Sequence, residues 1–377
     1  MTLHRVLLIL AVLLPARQTE GQIGDGPRRK QVLAEITAAS ARARGVVSVA
    51  ALNLETNERV SLNADRPVFM SSVVKLPIAV QLLARVDRGE LSLQTRIRLE
   101  PSDLRVGGAR GIASKYPNGV TMTVLALVRY AVSESDNTAS DALLRYSGGP
   151  RRVTQELRAL DIAGVSIDHS YAENTWRYNG VGNPPPPERW TPALFDSTVA
   201  ASSPAAKARG AASFMSDPSD RATPAAMVNL LARLARGQIL SARSGALLRR
   251  LMTESANPTA RIVAGAPAGA RVAHKTGSWG SWQGQMIALN DVGIVYRDPG
   301  SPVVIAVMIS GGRALLREQE RTIADVTRIL MKYWPVGGKR TSSKPLKHSP
   351  EVATYVERER PPPPAQPSRD VEAQDVE

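Results

Sequence analysis

Segments with strand character lie near both ends of this 377-residue chain, and helical segments fill the middle. Runs of β-branched residues indicate the strands, whereas apolar residues three and four positions apart indicate the helices. A sheet must therefore assemble from distant parts of the chain, and the intervening helices form a second lobe. Strands are predicted at residues 46–54, 59–62, 272–275, 286–296 and 302–310.

This order predicts a two-lobed domain, α/β plus all-α, over residues 28–335. An antiparallel sheet of about five strands, flanked by helices, would be built from residues 28–66 and 225–335. A helical lobe, residues 67–224, would be inserted between them and would include a long loop at 173–222. We expect the active site in the cleft between the lobes, because ligand sites usually lie in such clefts.

The two ends of the chain differ from the rest. Residues 1–22 combine a basic start with an apolar run that is too short to cross a bilayer, which is typical of an export signal. Residues 336–377 contain four consecutive prolines and mixed charge without apolar periodicity, which predicts a disordered tail. We therefore expect a periplasmic or secreted protein without a stable membrane anchor.

Composition excludes several kinds of site. The chain has no cysteine, so disulfides, thiolate metal sites and a cysteine nucleophile are excluded. Its four histidines, His4, His169, His274 and His348, show no ligand spacing, and we predict no metal, no other cofactor and no histidine-based triad. The net charge is +14, but only 4% of residues are aromatic and the arginines are dispersed. We interpret this as a basic solvated surface and expect a monomer without a nucleic-acid partner.

One Ser-x-x-Lys motif, Ser72-Val73-Val74-Lys75, stands where the first strands give way to helices. If a helix starts there, the serine hydroxyl and the lysine amine lie on one face, a turn apart. A serine hydroxyl is a weak nucleophile near neutral pH and needs a base within hydrogen-bond reach. Lys75 can be that base if burial and nearby positive charge lower its pKa, and Lys275 would supply such charge.

Two further triplets accompany this motif, Ser135-Asp136-Asn137 after a helical segment and Lys275-Thr276-Gly277 at the end of a predicted strand. Alone, the first could cap a helix and the second could be an ordinary strand end. The combination is known from class A β-lactamases and penicillin-binding proteins. Over residues 28–335 the chain resembles the class A serine β-lactamases, within the penicillin-binding-protein-like serine acyltransferase superfamily. The segments that carry the resemblance are 68–75, 132–141, 272–278 and 288–295.

The resemblance implies a role for each matching residue. Ser72 would attack the lactam carbonyl with Lys75 as base, and Ser135 would pass a proton to the departing nitrogen. Backbone N–H groups of Ser72 and Ser278 would stabilise the oxyanion. Asn137 would hold Lys75 and the side-chain amide of the substrate. The strand residues assigned to substrate binding, chiefly of its carboxylate, are Lys275, Thr276, Gly277 and Ser278.

The resemblance also implies a loop glutamate that positions the water for deacylation. Glu173 matches this residue, and Glu188 is a fallback. The family reads Glu-x-x-Leu-Asn, whereas this chain has Arg177 at the position of the asparagine. A cation there could pair with Glu173 and lower its basicity.

Two connections near the predicted site are unusual. Residues 173–222 include four consecutive prolines and a run of small residues, and we expect a partly ordered loop beside the cleft. It would either alter the substrate range or be a harmless insertion. The connection at 279–285 is expected to be long and is similar to that of a subgroup that includes extended-spectrum enzymes.

Five other residues each have two interpretations. Trp176, Trp190 and Trp279 could contact substrate, although tryptophan more often packs in a core or under a loop. Arg261 could assist carboxylate binding or form a structural salt bridge. His274 should point away from the lysine that follows it on the strand, which favours packing over catalysis.

The resulting prediction is hydrolysis of β-lactam antibiotics through a serine acyl-enzyme, which confers β-lactam resistance. One alternative is a penicillin-binding or D,D-peptidase-like acylase that deacylates slowly. Another is a non-catalytic module that holds cell-wall peptide. The four intact residues Ser72, Lys75, Ser135 and Lys275 argue against the pure binder, which has no need of them.

Overall fold

A computed structural model describes residues 26–105, 111–256, 259–297 and 301–335. The predicted export signal and the proline-rich tail lie outside these ranges. Among the described residues, no helix is both long and apolar enough to cross a membrane. The strands are β1 (Val46–Asn53), β2 (Arg59–Leu62), β3 (Val68–Phe69), β4 (Arg96–Leu99), β5 (Val120–Thr123), β6 (Arg221–Ala222), β7 (Arg271–Trp282), β8 (Gln285–Tyr296) and β9 (Val303–Gly312).

Most of the helices lie between β3 and β7, in the middle of the chain, as predicted. They are α1 (Pro27–Ala41), α2 (Lys75–Asp87), α3 (Ile112–Lys115), α4 (Val124–Val132), α5 (Asn137–Tyr146), α6 (Pro150–Ala159), α7 (Tyr171–Tyr178), α8 (Pro192–Ala201), α9 (Pro204–Ser216), α10 (Pro224–Ala235), α11 (Ala242–Thr253), α12 (Ile262–Gly265) and α13 (Leu316–Tyr333).

The main sheet joins the two ends of the chain in the order β2-β1-β9-β8-β7, and every neighbouring pair is antiparallel. This confirms the predicted five-stranded antiparallel sheet. Both faces are covered, because alternate residues of β9 belong to different apolar clusters. Val303, Ile305, Val307 and Ile309 pack with α1, α12 and α13, whereas Val304, Ala306 and Met308 pack towards the helical lobe.

Helix α2 occupies the centre of the helical lobe and contacts α4, α5, α6 and α11. Residues 75–85 are all buried, as expected for a helix that is enclosed on every side. A 3₁₀ turn, Ser71–Val74, precedes it and lies against β7 and β8. The start of α2 is therefore held at the boundary between the lobe and the sheet, which confirms the predicted two-lobed architecture.

The strand that carries Lys275-Thr276-Gly277 is longer than predicted. The triplet lies in the middle of β7, and the strand continues until Trp282 pairs with Gln285 of β8. The connection is a two-residue turn, Gln283-Gly284, with φ of 49° and 73°. Both residues thus adopt the left-handed conformation that a tight hairpin requires. The expected long connection at 279–285 is wrong, because bulky residues that favour strands extend the ladder.

The long segment at 173–222 is also more regular than predicted. It contains most of α7, all of α8 and α9, and β6, which pairs with β3. Helices α8 and α9 each begin with a capping hydroxyl followed by proline, at Thr191-Pro192 and Ser203-Pro204. Such pairs start helices, since the hydroxyl accepts a backbone N–H and proline lacks one. The prediction of a partly ordered loop missed these signals.

Candidate active site

The nucleophile and its base meet at the junction of the 3₁₀ turn and α2. Ser72 is the second residue of the turn, and Lys75 is the first residue of α2. The Lys75 ammonium donates a hydrogen bond to Ser72 Oγ at 2.8 Å. Lys75 is only 3% exposed, whereas Ser72 is half-buried and lines the cleft. The predicted spacing therefore brings the two groups into contact.

Lys75 has two further acceptors, both from the segment that joins α4 and α5. Its Nζ donates to the Ser135 carbonyl at 2.9 Å and to Asn137 Oδ1 at 2.8 Å. Burial lowers the pKa of Lys75 to about 8, against the opposing charges of Asp136 and Asp141. The amine thus loses its proton much more readily than an exposed lysine, as a general base near neutral pH requires.

The second lysine holds the hydroxyl of Ser135. Lys275 Nζ donates to Ser135 Oγ at 2.9 Å, and its side chain is fully buried. Burial and the neighbouring charge of Lys75 hold the pKa of Lys275 well below its usual value. Asp136 caps α5 by accepting the Ala139 N–H at 2.7 Å. The triplet is therefore both a helix cap and a means of directing Ser135 and Asn137 to the site.

Strand β7 lies at the edge of the sheet and approaches the 3₁₀ turn closely. A Cβ on Gly277 would lie 2.6 Å from the Met70 carbonyl oxygen, so only glycine allows this approach. Thr276 is buried beside it, and Ser278 lines the cleft. Arg261 donates to Ser278 Oγ at 2.8 Å and forms a 3.3 Å ion pair with Glu320, so it has both structural and site contacts.

Ser71 connects the turn to β7, a contact that sequence reasoning missed. Its hydroxyl donates to the Ser278 carbonyl at 2.6 Å, and its φ is +50°, in the left-handed region. The bond thus joins Ser278 to the residue that precedes Ser72, and the backbone N–H groups of Ser72 and Ser278 are those predicted to form the oxyanion hole. No sequence signal could identify the contact, because the partners are 207 residues apart.

We expect Ser71→Ala to lower the acylation rate constant of Ser72 about tenfold, since the separation of the two oxyanion donors would no longer be set. Removal of one oxyanion donor costs on the order of 10²–10³, and a displaced donor should cost less. Stopped-flow acylation with a chromogenic cephalosporin measures this. Ser71→Gly is the matched variant, because it removes the hydroxyl and also relieves the backbone strain. Acylation at the parent rate in both variants would contradict the role.

Some of these groups, Ser71, Ser72, Lys75, Asn137 and Ser278, line a cleft of about 390 Å³ between the sheet and the helical lobe. Ser72, Lys75 and Asn137 lie on one side, and Ser278 and Trp279 lie on the other. Helix α7 contributes further residues to the lining. The cleft thus combines a serine beside a lysine with the edge of β7, and the pair of Lys275 and Ser135 is joined to it through the hydrogen bond from Lys75 to the Ser135 carbonyl.

A sequence model of the beta-lactamase enzyme family matches residues 29–334. This chain belongs to that family. It is 28% identical over 290 residues to beta-lactamase VEB-1 of Pseudomonas aeruginosa, covering 76% of this chain and 85% of that protein. It is 26% identical over 295 residues to the extended-spectrum beta-lactamase PER-1 of the same species, covering 77% and 83%. A solved beta-lactamase from Chitinophaga pinensis matches with a TM-score of 0.68 and 28% identity, covering 81% of this chain and all of that one.

Glu173, the residue predicted to position the water for deacylation, is not among the described residues that line the cleft. Glu173 Oε2 accepts hydrogen bonds from Ser170 N at 2.7 Å and from Ser170 Oγ at 2.8 Å, as the capping box of α7. The role assigned to Glu173 remains a prediction. The Ser170-x-x-Glu173 pattern is itself the signal of a capping box that the sequence interpretation missed.

Arg177 does not form the expected pair with Glu173. Its guanidinium instead forms an ion pair with Asp217 and donates to Asn174 Oδ1 at 3.4 Å. The side chain leaves α7 in the direction of α9, which α7 contacts. The expectation that Arg177 lowers the basicity of Glu173 through an ion pair is therefore wrong. Glu188 is exposed and is not among the described residues of the cleft lining.

A histidine and an aspartate beside the cleft were not anticipated. His169 Nδ1 lies 2.9 Å from Asp220 Oδ2, and both residues line the cleft. The hydrogen bond to Asp220 raises the pKa of His169. The backbone N–H groups of Asp168 and His169 also donate to Asp220 Oδ1. Since β6 follows Asp220 directly, these bonds hold the start and the end of the 168–220 segment together.

The tryptophans and His274 are accounted for by packing, with one exception. Trp176 is buried against Trp190 and Phe195, with ring centroids 6.1 Å and 4.7 Å apart. His274 is buried, and its Nδ1 lies 3.0 Å from Asp291 of β8. Trp279 is the exception, because it lines the cleft.

Proposed function

We propose that the protein hydrolyses β-lactam antibiotics through an acyl-enzyme on Ser72 and thereby confers β-lactam resistance. The observation that carries the proposal is the 2.8 Å contact between Lys75 Nζ and Ser72 Oγ within the cleft. Family membership supports the β-lactam as the substrate. The alternative of a non-catalytic binder leaves this buried lysine without a purpose.

The geometry supports acylation of Ser72. The neutral amine of Lys75 takes the Ser72 hydroxyl proton as Oγ attacks the lactam carbonyl carbon. Backbone N–H groups of Ser72 and Ser278 stabilise the resulting oxyanion, and the C–N bond of the ring then breaks. Ser135, whose Oγ accepts a hydrogen bond from Lys275 at 2.9 Å, passes its proton to the departing nitrogen and is reprotonated with the proton that Lys75 took from Ser72.

Substrate binding uses the strand edge and α5. Lys275, Thr276 and Ser278 bind the carboxylate through one charge and two hydroxyl groups. Gly277 allows β7 to lie close to the nucleophile. Asn137, whose Oδ1 accepts from Lys75 at 2.8 Å, orients the side-chain amide of the substrate.

The proposal is tested by mixing the purified protein with a chromogenic cephalosporin and following both turnover and protein mass. We expect ring opening, together with an adduct that maps to Ser72. The matched control is Ser72→Ala, which keeps the fold and lacks the nucleophile. Absence of both turnover and adduct in the parent protein, or their persistence in Ser72→Ala, would refute the proposal.

We further infer that the protein acts after export, as a monomer and without nucleic acid. The predicted signal at residues 1–22 and the dispersed arginines support this. Fractionation of expressing cells and light scattering of the purified protein test it. An activity confined to the cytoplasm, or a stable oligomer, would count against it.

A further inference from the structure

The cleft extends along β7 beyond the residues assigned to the carboxylate. Ser278, Trp279 and Gly280 line it, whereas Lys275 and Thr276 are buried and are not among the described residues of its lining. Successive residues of an antiparallel strand are about 3.4 Å apart, so Trp279 and Lys275 lie on opposite sides of Ser278 along the strand. The cleft therefore continues past the predicted oxyanion hole in the direction away from Lys275.

The chemistry of a penicillin places its acyl side chain in this direction. The lactam carbonyl carbon is bonded on one side to the ring nitrogen, next to the carbon that carries the carboxylate. On the other side it is bonded to the carbon that carries the acylamino group. In the proposed function the carbonyl lies at Ser278 and the carboxylate at Lys275. The acylamino group then points along β7 towards Trp279.

Aromatic rings are concentrated in the cleft. Five of the 21 residues that line it are aromatic, whereas aromatic residues make up only 4% of the chain, which would give about one. The five are Phe69, Tyr171, Tyr178, Phe195 and Trp279. An apolar wall of this kind is typical of a site that binds an apolar group.

Trp279 is held in place by four neighbouring rings. Those of Phe69, Tyr171 and Tyr178 pack edge-on against it, with centroids at 5.2, 5.7 and 6.1 Å. The fourth is Phe214 of α9, which stacks on the indole at 5.4 Å with 9° between the ring planes. Phe214 is buried and is not among the described residues that line the cleft, so it supports the indole from outside the cleft.

Phe195 has a similar support on α8. Its ring lies 4.7 Å from that of Trp176, which is buried and is not among the described residues of the cleft lining. Phe195 is the one residue of α8 that lines the cleft, and it also lines a small second cavity together with Tyr171 and Thr175. Its ring is therefore part of the wall between the two cavities.

Both rings thus depend on the 168–220 segment. Helix α8 supplies Phe195 itself, and α9 supplies Phe214, which supports Trp279. Helix α9 is packed tightly against the end of α7, because a Cβ on Gly210 would collide with the backbone nitrogen of Gly180. The segment therefore builds part of the cleft wall and fixes another part.

We propose that α8 and α9 complete an aromatic subsite for the acyl side chain, with Phe195 and Trp279 as specificity-determining residues that select β-lactams whose side chain carries an aromatic ring. This inference rests on the proposed function, since it requires that a β-lactam acylates Ser72. Aromatic rings gain stability from edge-to-face and offset packing beyond the area that they bury. A side chain without a ring would leave the subsite unfilled.

Two penicillins that differ only by one ring test the inference on the parent protein. Benzylpenicillin and 6-acetamidopenicillanic acid share the nucleus and the side-chain amide, but the second has hydrogen in place of phenyl. We expect kcat/KM to be at least tenfold higher for benzylpenicillin, as burial of a phenyl group implies. Equal values would overturn the inference and leave the proposed function in place. No ring opening of either compound would refute the proposed function itself.

Variants of α8 test the role of Phe195. Phe195→Ala should lower the ratio of the two kcat/KM values about fivefold, and because α8 has no buried residue the fold should be retained. Phe195→Tyr keeps the ring and should hold the ratio within twofold of the parent. Leu194→Ala is the matched control, because Leu194 is on α8 but is not among the described residues of the cleft lining. An equal loss for both substrates in Phe195→Ala, or a higher ratio, would overturn the inference.

A double-mutant cycle tests whether α9 acts through the indole. We expect Trp279→Leu to lower the ratio about fivefold and Phe214→Leu about threefold, because the second removes only the support of the indole. The double variant should then lose no more than Trp279→Leu alone, since the two residues act as one unit. An unchanged ratio in Trp279→Leu would overturn the inference, and losses that multiply in the double variant would overturn the part assigned to α9.

Discussion

Replacing Lys75 with alanine should slow acylation of Ser72 by about three orders of magnitude, the middle of the range for loss of a positioned general base. The hydroxyl of Ser72 would lose the contact at 2.8 Å that accepts its proton. Stopped-flow measurement of adduct formation gives the rate constant directly. Lys75→Arg is the matched control, because it keeps a positive charge but cannot lose a proton. Acylation by Lys75→Arg at the parent rate would contradict a base role.

The same residue predicts the pH dependence of the parent protein. The protonated amine has no lone pair, so acylation should rise with pH and reach half of its maximum near pH 8, the value to which burial lowers the pKa of Lys75. The charged groups around it are Asp136 and Asp141, which raise this pKa, and Lys275 across the cleft. A profile that is flat between pH 6 and pH 9 would contradict this assignment.

Asn290→Leu should both destabilise the protein and slow acylation, which is the second large effect. The Asn290 side chain is fully buried in β8, and its Nδ2 donates to the carbonyl oxygens of Phe69 and Met70 at 2.9 and 3.0 Å. These carbonyls directly precede the nucleophile turn. The variant removes this donor from the Phe69 carbonyl and leaves the Met70 carbonyl only the Val73 N–H at 3.2 Å, which costs about 2–4 kcal/mol in the free energy of unfolding. We also expect at least a tenfold loss in the acylation rate constant, because the turn would shift relative to β7.

The variant Leu289→Ala separates the loss of stability from the loss of acylation. Leu289 precedes Asn290 on β8 but packs in the opposite layer, with α1 and α13. Its truncation should cost a similar 2–5 kcal/mol in urea unfolding. Under conditions where the variant is folded, its acylation should match that of the parent. Equal losses of acylation in both variants would show that Asn290 acts on stability alone.

Local sequence patterns were sufficient for the strands of the main sheet and for the helical character of the middle of the chain. The apolar periodicity of α2, the β-branched runs of β1, β8 and β9, and the order of strands and helices predicted a sheet built from both ends. These patterns could not predict how far along the chain the pairing between β7 and β8 extends. Strand β7 continues past Gly277 because β8 supplies partners for Ser278, Trp279, Ser281 and Trp282, and partners are a property of the assembled sheet.

The contact between the nucleophile and its base was also predictable from local sequence. Ser72 and Lys75 are three residues apart at the start of a helix, so local geometry alone brings their side chains together. Ser135 and Lys275 were placed by resemblance, and the fold brings them within 2.9 Å of each other. The contacts of Ser71 and Asn290 could not be inferred, because each joins segments more than two hundred residues apart.

The chain by itself determined that Ser72 and Lys75 come together, because both belong to one motif at the start of a helix whose local structure directs them. Only the tertiary structure decided which residue of α7 faces the cleft that they line. Spacing along the chain selects Glu173, but the rotation of a helix about its axis depends on what holds its first turn. Here Asp141 binds the backbone N–H groups of Tyr171 and Ala172, Ser170 binds the carboxylate of Glu173, and the tyrosine faces the nucleophile's cleft.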